Sequence, residues 1–198
     1  MTQGDERSGD LAGRPGGRSG ATQGDERSDE LARRIYDVAH LTGTFTLRSG
    51  VVSNEYFDKY LFEAEPALVR AIAEAMAPLV PDGTEALAGL ELGGVPLAVM
   101  LSQVTGLPTL FVRKEAKSYG TCRLAEGGDL DGRRVTVVED VVTSGGQVVT
   151  SCGDLGARGA IVEHALCVID RESGGPDALA EIGVELHALY RMSELTPP

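Results

Sequence analysis

Positive charge is scarce in this sequence: 18 Lys and Arg stand against 30 Asp and Glu. The resulting net charge of −12 argues against a broad nucleic-acid footprint, and an anionic substrate would have to be held by local cations against that field. Cysteine is scarce as well. Cys122, Cys152 and Cys167 are an odd set without metal-ligand spacing, which speaks against a disulfide framework and for reduced thiols in a cytosolic protein. No run of about 18 apolar residues occurs, so no membrane span is expected. The polar N-terminus does not read as a secretory signal. What remains is the profile of a soluble cytoplasmic enzyme. Hydrophobic residues make up 42%, enough for a sizeable core, and 198 residues accommodate one domain plus a tail.

Residues 1–27 have almost no apolar content, and Thr2–Ser8 recurs as Thr22–Ser28. Two copies make no solenoid and neither can bury a core, so a disordered polar tail is expected over 1–27, with the folded domain spanning 28–198. From Ser28 the pattern predicts a helix to about Leu41, with Leu31, Ile35, Val38 and Ala39 as its apolar face. Phe45–Arg48 and Tyr56–Tyr60 read as a hairpin of two strands. Pro66 opens a helix to about Leu79. Strands follow at 86–92, 109–113, 134–139, 160–169 and 184–190, with helices at 95–104, after Gly146 and at 177–182. This alternation implies βαβ crossovers and a mostly parallel sheet covered on both faces, whose ligands sit at the strand C-terminal ends. Leu92-Gly93-Gly94, Arg113-Lys114 and Glu139-Asp140 all fall at such ends.

The most informative stretch is Val135-Thr-Val-Val-Glu139-Asp140-Val141-Val142-Thr143-Ser144-Gly145-Gly146-Gln147. An apolar strand runs into two carboxylates, then a turn of small residues and a helix start. The turn offers backbone N–H groups and two hydroxyls, and the helix adds the positive end of its dipole, an arrangement that suits a phosphate. Carboxylates accept hydrogen bonds from sugar hydroxyls. Together they point to a phosphosugar. Arg113, Lys114 and Lys117 place three cations within five residues, in a mobile basic segment able to close on a diphosphate. The Phe45–Gly50 string with Tyr56-Phe57-Asp58 couples a cation to aromatic rings that can face a planar base or, equally, cover the edge of the core. Arg171 follows another strand and can grip a carboxylate. His40, His164 and His187 share no metal-like spacing and read as structural.

These residues carry a resemblance. The acidic-pair string resembles the phosphoribosyl-diphosphate signature of type I phosphoribosyltransferases. The Phe45–Gly50, Tyr56–Asp58 and Arg113–Lys117 strings resemble the orotate phosphoribosyltransferases within that family, over about Ser28 to Ser193. The resemblance implies a central, mostly parallel sheet flanked by helices, a small N-terminal hood, a homodimer, and transfer of ribose 5-phosphate from phosphoribosyl diphosphate to orotate in pyrimidine biosynthesis. It implies that Glu139 and Asp140 bind the ribose hydroxyls, with Asp140 and Lys117 as the catalytic pair. Val141 and Val142 would belong to the substrate site, Thr143 to Gln147, including Ser144, Gly145 and Gly146, would cradle the 5′-phosphate, Thr143 would also contact orotate, and Arg113, Lys114 and Lys117 would hold the diphosphate. Tyr56 and Phe57 would flank orotate, Arg171 would meet its carboxylate and Arg48 would lie over the base or sugar. Mg²⁺ is expected mainly on the diphosphate rather than in a protein cage.

Five positions, two of them adjacent, depart from the family pattern. Arg48 stands where Lys is common, Glu139 where the pair is often Asp-Asp, Tyr119 where His is common, and Glu91-Leu92 where Tyr-Lys is common. The last removes an expected phosphate cation and shifts its burden to Arg113, Lys114 and Lys117. A phosphoribosyltransferase for another base, or a phosphoribosyl-diphosphate sensor that binds nucleic acid, are the rival readings. The hood string weighs against the first, the acidic charge against the second.

Overall fold

The computed structural model describes residues 23–47, 49–115 and 124–195. The tail through residue 22 lies outside the described residues, as do Arg48, Lys117, Tyr119 and Cys122. A two-stranded antiparallel hood precedes a six-stranded sheet of order β5-β4-β3-β6-β7-β8. The strands of the main sheet are β3 (Ala86–Leu90), β4 (Thr109–Val112), β5 (Ala125–Glu126), β6 (Arg134–Val142), β7 (Ile161–Asp170) and β8 (Glu185–Arg191). All neighbours are parallel except β4 and β5. The expected α/β architecture with a mostly parallel central sheet is therefore present.

Both faces of the sheet are covered, which explains the near-continuous apolar strands. On one face Leu87, Val138, Leu166 and Val168 meet α1 (Gln23–Ala39), α2 (Lys59–Ala64), α3 (Pro66–Met76) and α4 (Gly94–Thr105). On the other, Ala88, Val137, Ala165 and Cys167 meet α5 (Gly146–Gly156) and α6 (Gly175–Ala180). Alternate residues of one strand thus serve two separate cores. In α3 the stripe Leu68, Val69, Ile72, Ala73 and Met76 is buried at helical spacing. Glu65 caps this helix by accepting from the N–H groups of Ala67 and Leu68, and Pro66 occupies its first turn. No described helix is long and apolar enough to cross a membrane.

Several boundaries differ from the sequence-based expectation. Helix α1 starts at Gln23, five residues before the Ser28 cap, so the boundary drawn after residue 27 falls inside a helix. The hood strands are β1 (His40–Thr46) and β2 (Val52–Phe57), both shifted towards the N-terminus of the expected pair. Residues 59–60, expected in the second strand, open α2 instead. Asp58 stops the strand, because its carboxylate accepts from the Tyr60 N–H and caps the helix. Strand β6 continues three residues past Glu139, so the acidic pair lies within the strand rather than at its end. A short α7 (Met192–Leu195) closes the described chain and was not expected.

Candidate active site

The C-terminal ends of β3, β4 and β6 surround a cavity of about 530 Å³. Its floor is the turn Thr143–Gln147, and its walls include Lys59, Glu91, Lys114 and Glu139. The turn presents free backbone N–H groups to the cavity at the start of α5. Gly145 has φ 78°, a left-handed conformation that glycine adopts without a Cβ clash, and it caps α5. The first N–H groups of α5 lack intrahelical acceptors and carry the positive end of its dipole. Val141 and Val142 bring the strand into this turn.

The acidic pair divides between two environments. Glu139 lines the cavity, whereas the Asp140 side chain is fully buried behind the wall. Lys59 Nζ lies 2.7 Å from Asp140 Oδ1 and 2.6 Å from Oδ2. Glu63, one turn after Lys59 on α2, faces the same carboxylate. Burial pushes the Glu63 carboxyl up to about 9, with Asp140 adding to the rise. Burial likewise raises Glu139 well above the ordinary range, again helped by Asp140. For Asp140 burial acts upward, but hydrogen bonds from Glu139, Glu63 and Lys59 outweigh it and hold the carboxyl below its usual value. Burial lowers Lys59, and its pairing with Asp140 more than reverses that. The site is therefore an Asp140 carboxylate held by one ammonium and flanked by two carboxyls that resist ionisation.

The glycines after β3 make this packing possible. A Cβ on Gly93 would lie 1.6 Å from Asp140 Oδ2 and 2.7 Å from Glu63 Oε1. One on Gly94 would lie 2.1 Å from the Val138 carbonyl oxygen. Neither residue has positive φ, so close approach to β6, not turn geometry, requires both. At the departure from the family pattern, Glu91 Oε2 accepts from the Lys114 N–H at 3.0 Å and tethers the start of the basic segment. Leu92 beside it is exposed to the cavity.

A second cavity of about 300 Å³ lies under the hood, lined by Tyr36, His40, Tyr56, Phe57 and Arg171 among others. Tyr56 and Phe57 of β2 thus line one cavity with Arg171, 114 residues or more further along the chain. The Arg171 N–H donates to the Val142 carbonyl at 2.8 Å, which ties this cavity to the strand end that floors the first. Arg113 stands at the end of β4, half-buried, and its Nε has no hydrogen-bond partner among the described residues.

Most of the expected residues are therefore brought together in two neighbouring groups. Lys114, Glu139 and Val141 to Gln147 line the larger cavity, and Tyr56, Phe57 and Arg171 the smaller. Arg48 and Lys117 lie outside the described residues. Three residues went unnoticed in the sequence: Lys59, Tyr60 and Glu63. The Asp58 cap followed by Lys59 and Glu63 at i, i+4 was the available signal.

A mostly parallel sheet whose acidic strand runs into a turn of small residues, beside an aromatic hood, has the architecture of a phosphosugar-transferring enzyme. The phosphoribosyl transferase domain model matches residues 62–182. The chain belongs to the phosphoribosyl transferase family, in its orotate branch. An orotate phosphoribosyltransferase of Nocardioides sp. is 55% identical over 158 residues, covering 80% of this chain and 88% of the relative. That of Halobacterium salinarum is 47% identical over 153 residues, covering 77% and 87%. The crystal structure of Mycobacterium tuberculosis orotate phosphoribosyltransferase in complex with 5-phospho-alpha-D-ribosyl 1-diphosphate superposes with a TM-score of 0.74 at 26% identity, covering 85% of this chain and 98% of that one.

Proposed function

We propose that this enzyme transfers ribose 5-phosphate from phosphoribosyl diphosphate to N1 of orotate, giving orotidine 5′-phosphate and diphosphate. The observation that carries this reading is the pairing of the two cavities through Val142 and Arg171. One cavity has a phosphate-binding turn and an acidic wall, and the other has aromatic rings and a guanidinium. A reaction joining a phosphosugar to a planar anion needs both, side by side.

In this reading the Thr143–Gln147 turn holds the 5′-phosphate and Glu139 accepts from a ribose hydroxyl. Tyr56 and Phe57 flank the ring, and Arg171 takes the orotate carboxylate bidentately. The C1–O bond to the diphosphate breaks, positive charge grows on the ribose, and N1 of the anionic base forms the new bond from the opposite face. Arg113, Lys114 and Lys117 stabilise the departing diphosphate, and Arg48 covers the sugar or base. Asp140 acts as a positioning residue: its ion pair keeps Lys59 at the cavity wall, supplying a cation near the place where Glu91-Leu92 removes one.

Mg²⁺ fits this donor set as an ion carried in on the substrate. Asp140 is committed to Lys59 and the neighbouring carboxyls resist ionisation, so the wall offers single oxygens rather than a cage. When bound, the ion would neutralise developing charge on the diphosphate. We further propose a homodimer acting in the cytoplasm. The two described cysteines, Cys152 and Cys167, are buried and free, in keeping with a reducing compartment.

The test is turnover with phosphoribosyl diphosphate and each of orotate, uracil, adenine and hypoxanthine. Orotate alone should react well, because only it offers Arg171 a carboxylate. A preference for a purine or for uracil would overturn the base assignment while leaving the phosphosugar site standing.

A further inference from the structure

We propose that His164, Glu185 and His187 form a binding site for a divalent transition-metal ion of the Zn²⁺ class, separate from the phosphosugar cavity. No local sequence spacing announces it, because the ligands come from two strands whose register creates the cluster. In the pairing of β7 with β8, His164 stands opposite Glu185 and Leu166 opposite His187. His187 lies two residues beyond Glu185, so all three side chains emerge from one face of the sheet.

Their atoms converge. His164 Nδ1 lies 3.2 Å from His187 Nε2. Glu185 Oε2 lies 3.8 Å from the first and 3.9 Å from the second. A point equidistant from three atoms so spaced is about 2.1 Å from each, which is the bond length of zinc to imidazole nitrogen or carboxylate oxygen. Two imidazoles and one carboxylate favour zinc and its transition-metal neighbours over Mg²⁺, which prefers oxygen alone. In the metal-free protein the two rings share one proton across their contact. A metal takes its place when each ring carries its proton on the nitrogen facing away.

The place in the fold is informative. His164 pairs with Thr136 on β6, six residues before Val142 at the cavity, a separation of about 20 Å along the strand. The His164 and His187 side chains are 32% and 26% exposed and Glu185 is 69% exposed, so an ion can enter from solvent and the carboxylate can adjust to it. Bound there, the ion would tie the edge strand β8 to β7 and leave one coordination position for water.

The experiment titrates the full chain, stripped with a chelator, with ZnCl₂ by calorimetry, and follows CoCl₂ binding by its visible absorption. One ion per chain is expected, with a rise in Tm on loading. His187→Ala should abolish binding and Glu185→Gln should weaken it roughly tenfold or more, a loss that even an outer-shell partner can bring. Glu139→Gln, in the phosphosugar cavity, should leave it unchanged. His187→Gln keeps the bulk of the ring, so with circular dichroism it separates loss of a ligand from loss of fold. Absence of saturable binding in the parent chain would overturn the proposal. So would undiminished binding in folded His187→Gln, or loss of binding in Glu139→Gln.

Discussion

Lys59 Nζ lies 2.7 Å from Asp140 Oδ1 although 81 residues separate them in sequence. The contact joins α2, directly after the hood, to the central strand of the sheet, and it leaves the carboxylate wholly buried while the lysine keeps a third of its surface. Replacing Lys59 by Met therefore strands a charge in the interior. Breaking a fully buried pair costs about 3–5 kcal/mol, and the exposure of Lys59 brings the expected loss to roughly 2 kcal/mol. Urea unfolding of Lys59→Met should show it. Asp140→Asn in the same background should recover part of the loss, and an absence of recovery would mean that the pair is not the cause.

The glycines offer a second test. At Gly94 an added methyl meets the Val138 carbonyl oxygen at 2.1 Å, and backbone cannot yield there. Gly94→Ala should lose about 3 kcal/mol or rearrange the β3 end, as overpacked sites do. Gly153, inside α5, has nothing among the described residues within 4 Å of its would-be Cβ. Gly153→Ala should gain about 0.5–1 kcal/mol through helix propensity. Denaturant midpoints of the two variants should move in opposite directions.

Glu63 predicts a pH dependence. Its carboxyl is raised from 4.5 to about 9 in the folded chain. The native state thus holds a proton that the unfolded chain releases, so the stabilisation is full below pH 4.5 and is lost as pH rises towards about 9. Glu63→Gln removes this contribution. Relative to the parent, the variant should gain Tm steadily between those limits and not below them. A constant difference across the range would contradict the raised Glu63 carboxyl.

Substrate kinetics should separate Arg171 from Lys117. Arg171 is proposed to hold orotate, so Arg171→Ala should raise the KM for orotate on the order of tenfold or more while moving kcat less. Lys117 is proposed to act on the departing diphosphate, so Lys117→Ala should lower kcat on the order of 10²-fold with the fold intact. A near-normal kcat in Lys117→Ala would end that assignment.

Much of this was legible in the sequence because it is local. The string from Val135 to Gln147 contains strand, acidic pair, turn and helix start in one uninterrupted run, and the structure keeps them in that order. Five of the six strands of the sheet could be read from apolar runs and the glycines between them; β5, two residues within a polar, Gly-rich stretch, could not. Lys59 could not, since the aromatic-rich run Tyr56–Tyr60 reads as a strand and the Asp58 cap that ends it competes only weakly with that composition. His164 and His187 escaped for a different reason. Their contact depends on the register between β7 and β8, which no spacing along one chain reveals. The role of Gly93 and Gly94 was not visible beyond their place at a strand end, because what they approach closely, the Asp140 carboxylate and the β6 backbone, is tertiary.

The measurement that tests the central claim most directly is orotate consumption, followed by absorbance, with phosphoribosyl diphosphate and Mg²⁺ supplied together and withheld in turn. The account predicts turnover that needs all three and yields orotidine 5′-phosphate and diphosphate in equal amounts. Saturable binding of phosphoribosyl diphosphate without any loss of orotate would contradict it.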